Sequence, residues 1–314
     1  MKRLLGTFII FLLVLSGCSN SVSTKNEQTS DGSKKLEIVT TFYPMYYFAQ
    51  KVAGSSANVE LLIPNGVEPH DWEPTAKDMA KIQDADMFIY NSRYFETWTE
   101  KVLKSINDSN LKVIEASKGI ELMDALEADE EEEKHSEHTS SKDPHVWLSP
   151  VLAKHEVDNI AKALDQADPN NKDQFEKNAT ALKSQLSNLD RLYKETIDKA
   201  QKKEFVTQHA AFGYLAKQYG LKQIPIAGLS PDVEPTLGKL AELTELTKKE
   251  NVKIIYFEEL TSSKVAQTLA NEIGAKTEVL NPLEGLTKDE QEKGLDYIDV
   301  MKKNLESLKL SILE

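Results

Sequence analysis

From Asn170 to Lys202 the chain contains neither proline nor glycine, and apolar residues recur at Phe175, Ala179, Leu182, Leu186, Leu189, Leu192 and Ile197. Steps of mostly three and four residues put these side chains on one stripe of an α-helix. About 30 residues at 1.5 Å rise make a rod on the order of 45 Å, enough to run down two lobes and join them. The roughly 280 residues from position 35 onward exceed a typical single core. On both sides of the rod, short β-rich runs alternate with helical stretches, the pattern of parallel sheets flanked by helices. The expected fold is therefore α/β, with two βα lobes joined by one long rigid helix. Its limits are 35–168 for the first lobe, 169–202 for the linking helix and 203–314 for the second lobe.

In the first lobe, strands are expected at 36–40, 59–63, 87–90 and 111–114. Helices begin at Pro44, after the cap Thr75, around Trp98, and at the Ser149-Pro150 pair. In the second lobe, strands are expected at 204–207, 223–226, 252–257 and 278–280. The helices there span 210–219, closed by Gly220, then 235–249, then 263–273, stopped by Gly274, and a last one from 289 to 313. Ligands of open parallel sheets bind at the carboxyl ends of the strands, so the loops there are the place to look for chemistry.

The N-terminus carries Lys2 and Arg3 before an apolar run from Leu4 to Leu15. That run is too short for a permanent membrane span and well sized for a secretory signal. It ends in Leu15-Ser16-Gly17-Cys18, which resembles a bacterial lipobox, so 1–17 reads as a lipoprotein signal peptide and Cys18 as the lipidated first residue of the mature chain. Cys18 is the single cysteine, which excludes an internal disulfide. Residues 18–34 are polar and read as a lipid-anchored flexible tether. The expected location is the extracytoplasmic face of the cell membrane.

The formal net charge is −13, or −15 once Lys2 and Arg3 leave with the signal, which argues against nucleic acid as a partner. Much of the acidity lies in a loop at 124–140, where eight acids from Asp124 to Glu137 accompany His135 and His138. Such a run repels itself and reads as a solvated insertion. Its carboxylates and two histidines also suit weak, secondary metal capture.

Two segments share an acid, a proline, a histidine, a spacer and a tryptophan: Glu68-Pro69-His70-Asp71-Trp72 and Asp143-Pro144-His145-Val146-Trp147. Proline partly pre-sets the backbone and lowers the entropy cost of aiming the following imidazole. A lone loop histidine is ordinarily just hydrogen-bonded; the repeated pattern points instead to metal ligands. A third histidine, His209, follows an apolar strand, and three imidazoles make the core of a zinc site. His155 falls within a helix, lacks the pattern, and reads as a surface or boundary residue.

These residues resemble the solute-binding lipoproteins of bacterial zinc and manganese ABC importers, the cluster A-I metal-binding proteins. The resemblance rests on Gly66-Val67-Glu68-Pro69-His70, Asp143-Pro144-His145-Val146-Trp147-Leu148, Gln208-His209-Ala210-Ala211-Phe212-Gly213-Tyr214, Asn281-Pro282-Leu283-Glu284-Gly285 and the long central helix. It implies one metal ion held in the cleft between the lobes by His70, His145, His209 and Glu284. It further implies delivery of that ion to a membrane permease driven by a separate ATPase subunit, with the binding protein a monomer. Manganese-type relatives tend to carry a carboxylate in place of His209, so the resemblance implies the zinc type, and nitrogen-rich ligation favours Zn2+ as the transported ion. Glu258 and Glu259 are weaker ligand candidates, better read as solvated loop residues or as hydrogen-bond partners behind the site. Glu68, Asp143 and Gln208 are candidates to orient an imidazole through its outer nitrogen.

Three alternatives remain at this stage: a manganese-type binding protein, a secreted zinc hydrolase and an adhesin. No His-Glu-x-x-His run is present and Glu284 would fill a fourth ligand position, which disfavours the hydrolase. No Gly-x-x-x-x-Gly-Lys-Ser/Thr loop is present for ATP. The chain is expected not to be an enzyme.

Overall fold

A computed structural model describes residues 35–106, 110–125, 142–231 and 235–313. Cys18, His135 and His138 lie outside the described residues, as do the signal, the tether and most of the acidic loop.

The first lobe is built from β1 (Leu36–Thr40), α1 (Tyr43–Ala53), β2 (Ala57–Leu61), α2 (Ala76–Asp84), β3 (Met87–Tyr90), α3 (Thr99–Ser105), β4 (Lys112–Glu115) and α4 (Pro150–Ala167). The second comprises β5 (Glu204–Thr207), α6 (Gly213–Tyr219), β6 (Lys222–Pro225), α7 (Leu237–Lys249), β7 (Ile254–Phe257), α8 (Lys264–Ile273), β8 (Lys276–Val279), α9 (Lys288–Glu292) and α10 (Tyr297–Ile312). Between the lobes runs α5 (Lys172–Ile197). Among the described residues the named strands pair in parallel, and the two sheets share one plan, β2-β1-β3-β4 and β6-β5-β7-β8. The loops after β2, β4, β5, β7 and β8 therefore leave from carboxyl ends, where such sheets bind ligands.

The linking helix buries Phe175, Ala179, Leu182, Leu186, Leu189, Tyr193 and Ile197. Tyr193, four residues after Leu189, continues the stripe where Leu192 was expected, and its hydroxyl donates to the Met301 carbonyl of α10 at 2.7 Å. These residues join a core that also draws on α1, α4 and α10, so one hydrophobic cluster spans both lobes. The helix is shorter than the expected 169–202 segment. A 3-10 turn at Pro169–Asn171, capped by Asp168, precedes it. Beyond Ile197 the backbone N–H groups of Gln201 and Lys202 turn to the carbonyl of Ile312.

Local chemistry sets the other boundaries. Thr75 and Asp78 form a capping box on α2, and Ser149 caps α4 ahead of Pro150. The final helix expected over 289–313 is two helices. Gly294 takes a left-handed φ of 65°, and the Asp296 carboxylate then accepts from Ile298 and Asp299 N–H to start α10. A glycine followed by an Asp cap is a stop and a restart that apolar spacing alone does not register. Among the described residues no helix is long and apolar enough to cross a membrane.

Candidate metal centre

The four ligand candidates come from four loops. His70 follows β2 and His145 follows β4 in the first lobe; His209 lies two residues after β5 and Glu284 five after β8 in the second. The structure brings all four together, with one donor atom from each lying within 4.8 Å of the others. His70 Nε2 is 3.4 Å from His145 Nε2, which is 3.4 Å from His209 Nε2. Glu284 Oε1 lies 3.3, 3.4 and 3.6 Å from the Nε2 atoms of His70, His145 and His209. A tetrahedral ion with bonds of about 2.0–2.1 Å separates its donor atoms by about 3.3–3.4 Å. Four of the five separations match that figure, and the fifth, Glu284 to His209, is slightly longer at 3.6 Å. Glu284 Oε2 is buried without a protein hydrogen-bond partner, an arrangement that costs about 1–3 kcal/mol unless a cation lies nearby.

Two of the rings are braced from behind. Asp143 Oδ1 accepts from the His145 backbone N–H at 2.9 Å and lies 2.8 Å from His145 Nδ1. Glu258, the residue after β7, holds His209 Nδ1 with a short contact. A carboxylate can only accept, so each Nδ1 carries the proton and, in the neutral ring, Nε2 presents its lone pair to the shared point. His70 has no such carboxylate on Nδ1 among the described contacts. Its ring rests edge-on against Phe95, with centroids 4.8 Å apart.

Of the three residues expected to orient imidazoles, only Asp143 does so. Glu68 Oε1 accepts from the His70 backbone N–H at 3.0 Å and does not reach the ring. Gln208 donates instead to Thr261 Oγ1 and the Ser262 carbonyl. The role assigned to it belongs to Glu258, 49 residues along the chain from His209. Glu259 is exposed and apart from the cluster. His155 is exposed and meets the Lys118 carbonyl at 3.1 Å, an ordinary surface contact.

Other supports act on the backbone of the ligand loops. Leu283, buried beside Glu284, has φ of 60°, a conformation costing about 1–2 kcal/mol for a residue with a Cβ. It is held because Asn281 Oδ1 accepts from Leu283 N–H at 2.7 Å, while Asn304 of α10 both donates to and accepts from the Asn281 backbone. Trp147 donates its indole N–H to the Pro282 carbonyl at 2.8 Å, tying the His145 loop to the Glu284 loop. Glu96 accepts from Asn91 and Ser92 N–H, and the Asn91 amide donates to the Pro144 carbonyl at 2.9 Å, fixing the backbone next to His145.

Burial and charge act in opposite senses on these groups. Burial works against charging His209 and His145, but Glu258 with Glu284 outweighs it for the first, and Asp143 with Glu284 for the second. His209 ends well above the ordinary histidine range and His145 above it. Burial keeps His70 below that range despite Glu284. Glu284 is deeply buried, which would raise it, but the three imidazoles hold it well below the carboxylate range. Burial, reinforced by the Glu284 charge, pushes Glu68 up to about 9.

Two parallel βα lobes with three imidazoles and a carboxylate meeting between them define the solute-binding class of transport protein, with a metal-type donor set. Comparison with known proteins fixes the family. Residues 38–310 match the family described as zinc-uptake complex component A, periplasmic (ZnuA), and this chain belongs to it. It is 58% identical over 317 residues to the high-affinity zinc uptake system protein ZnuA of Bacillus subtilis, covering 99% of this chain and 98% of that protein. It is 50% identical over 303 residues to the zinc-binding lipoprotein AdcA of Streptococcus pneumoniae, covering 96% of this chain but 60% of that protein. Among solved structures, the zinc-bound ZnuA-like domain of Streptococcus pneumoniae AdcA superimposes with a TM-score of 0.77 at 49% identity, over 90% of this chain and all of that one.

Proposed function

We propose that this chain is the extracytoplasmic zinc-binding component of an ABC importer, which captures one Zn2+ per chain and passes it to a membrane permease served by a separate ATPase. The observation that carries the reading is the convergence of His70 Nε2, His145 Nε2, His209 Nε2 and Glu284 Oε1 at tetrahedral separations, contributed by both lobes. Membership of the zinc-uptake family supports it. A donor set of three nitrogens and one oxygen favours zinc over manganese, which prefers more oxygen donors. Four protein donors fill a tetrahedral shell and leave no position for a reactive water, so the site binds and releases and does not turn over substrate. Lipid on Cys18 holds the protein at the outer membrane face, and His135 and His138 of the acidic loop offer secondary capture. The protein acts as a monomer.

The test is uptake. Cells lacking the gene should accumulate radioactive zinc slowly at submicromolar supply, and the wild-type gene should restore the rate while one encoding His209→Ala should not. Restoration by His209→Ala would refute the proposal.

A further inference from the structure

The brace behind His145 is itself held from the other lobe. Asp143 uses Oδ1 for His145, and its Oδ2 faces Gly213, the first residue of α6. A Cβ on Gly213 would stand 2.8 Å from Asp143 Oδ2, closer than real Cβ contacts come, and 3.0 Å from the flexible end of Met123. The backbone there does not call for glycine. Gly213 is not among the residues with positive φ, and it begins a helix, where a residue with a Cβ is ordinarily tolerated. What the position needs is the missing side chain.

The next residue addresses the same place. Tyr214 donates its hydroxyl to the Asp143 carbonyl at 2.7 Å, and the same oxygen accepts the Met123 N–H at 2.8 Å. Met123 and Asp143 are bonded to each other, the Asp143 N–H donating to the Met123 carbonyl at 2.9 Å. Tyr214 thus fixes the backbone of the residue that orients a first-lobe imidazole, and Gly213 leaves the room its carboxylate occupies.

We infer that Gly213 and Tyr214 are positioning residues of the metal centre, which act across the lobe junction through Asp143 to set the His145 ring. Partners that hold a ligating histidine from behind contribute about 10–100-fold to metal affinity. The inference rests on the metal-site reading above. It predicts that a side chain at Gly213 displaces Asp143 and so weakens the ion through the His145 ring.

The experiment is a double-mutant cycle on the full chain, with zinc affinity measured by competition against a chromogenic chelator for wild type, Gly213→Ala, His145→Ala and the double variant. Gly213→Ala is expected to bind zinc about tenfold more weakly and to cause no further loss once His145 is gone. Tyr214→Phe, which keeps the ring and deletes only the hydroxyl, should behave the same way and serves if Gly213→Ala does not fold. Wild-type affinity in both variants, or an equal loss with and without His145, would overturn the inference. If His145→Ala itself bound zinc like wild type, the metal-site reading would fail first and the positioning role with it.

Discussion

The two acid-Pro-His-x-Trp segments are alike in the backbone and unlike at the ring. In each, the acid two residues before histidine accepts that histidine's backbone N–H, Glu68 Oε1 at 3.0 Å and Asp143 Oδ1 at 2.9 Å. Asp143 then reaches Nδ1 of its own histidine with the same oxygen, at 2.8 Å, whereas Glu68 does not. The tryptophans diverge too. Trp147 is fully buried and bridges to Pro282, while Trp72 is half-buried against Trp98. The His145 side chain is sealed from solvent and that of His70 is 10% exposed. One pattern therefore yields one imidazole locked by protein on both sides and one held by a turn and the edge of Phe95. The shared part aims the histidine; what surrounds it decides how firmly.

The largest expected effect is loss of a locked ring. Structural zinc sites bind with roughly 10–16 kcal/mol spread over four ligands, so His145→Ala or His209→Ala should each cost about 2.5–4 kcal/mol, roughly 100- to 1,000-fold in zinc affinity. Chelator competition would show it, and a loss below tenfold in either variant would place the ion elsewhere.

Next come the braces. Glu258→Gln and Asp143→Asn keep size but lose the carboxylate on Nδ1, and each should weaken zinc by about 10–100-fold. Equal behaviour of Glu258→Gln and wild type would remove the distinction between locked and unlocked rings.

The pH response follows from the same groups. Zinc takes neutral imidazoles, and His209 and His145 hold their protons above the ordinary histidine range in the metal-free fold. Affinity should therefore drop steadily from pH 7.5 to 5. In the metal-free protein the sign is opposite. Raised folded-state values stabilise the fold fully below about pH 6.5, the unfolded value, and that contribution fades as pH rises through the folded values. His209→Ala should flatten this part of the thermal-midpoint profile, and zinc affinity independent of pH would contradict a three-imidazole site.

The smallest effect is expected at Glu68. Its carboxyl, pushed up to about 9, is neutral at physiological pH, and glutamine reproduces its shape and acceptor oxygen. Glu68→Gln should change zinc affinity by less than about threefold, well under the 10–100-fold of a true brace. A loss as large as that of Asp143→Asn would make the two segments equivalent after all.

Much of this molecule is legible in its sequence because local chemistry dictates it. The apolar stripe of α5, the Thr75 and Ser149 caps, and the left-handed glycines Gly220 and Gly274 act within a few residues. The loops that bring His70, His145, His209 and Glu284 together lie where strand ends and the family resemblance suggested. What escaped acts over distance or through absence. Glu258 reads from the sequence as a loop residue or a hydrogen-bond partner behind the site, but that it meets His209 follows only from β5 and β7 being neighbours. Gly213 matters through a side chain it lacks, and Asn304 through a loop more than twenty residues away. The break between α9 and α10 was written in Gly294 and Asp296, but apolar spacing ran through it.

The most direct test of the central claim is the metal content of metal-free protein after equilibration with equal zinc and manganese and removal of weakly held ions. One tightly held zinc per chain, absent from His209→Ala, is the predicted result. Manganese in its place, or zinc retained equally by His209→Ala, would contradict the account.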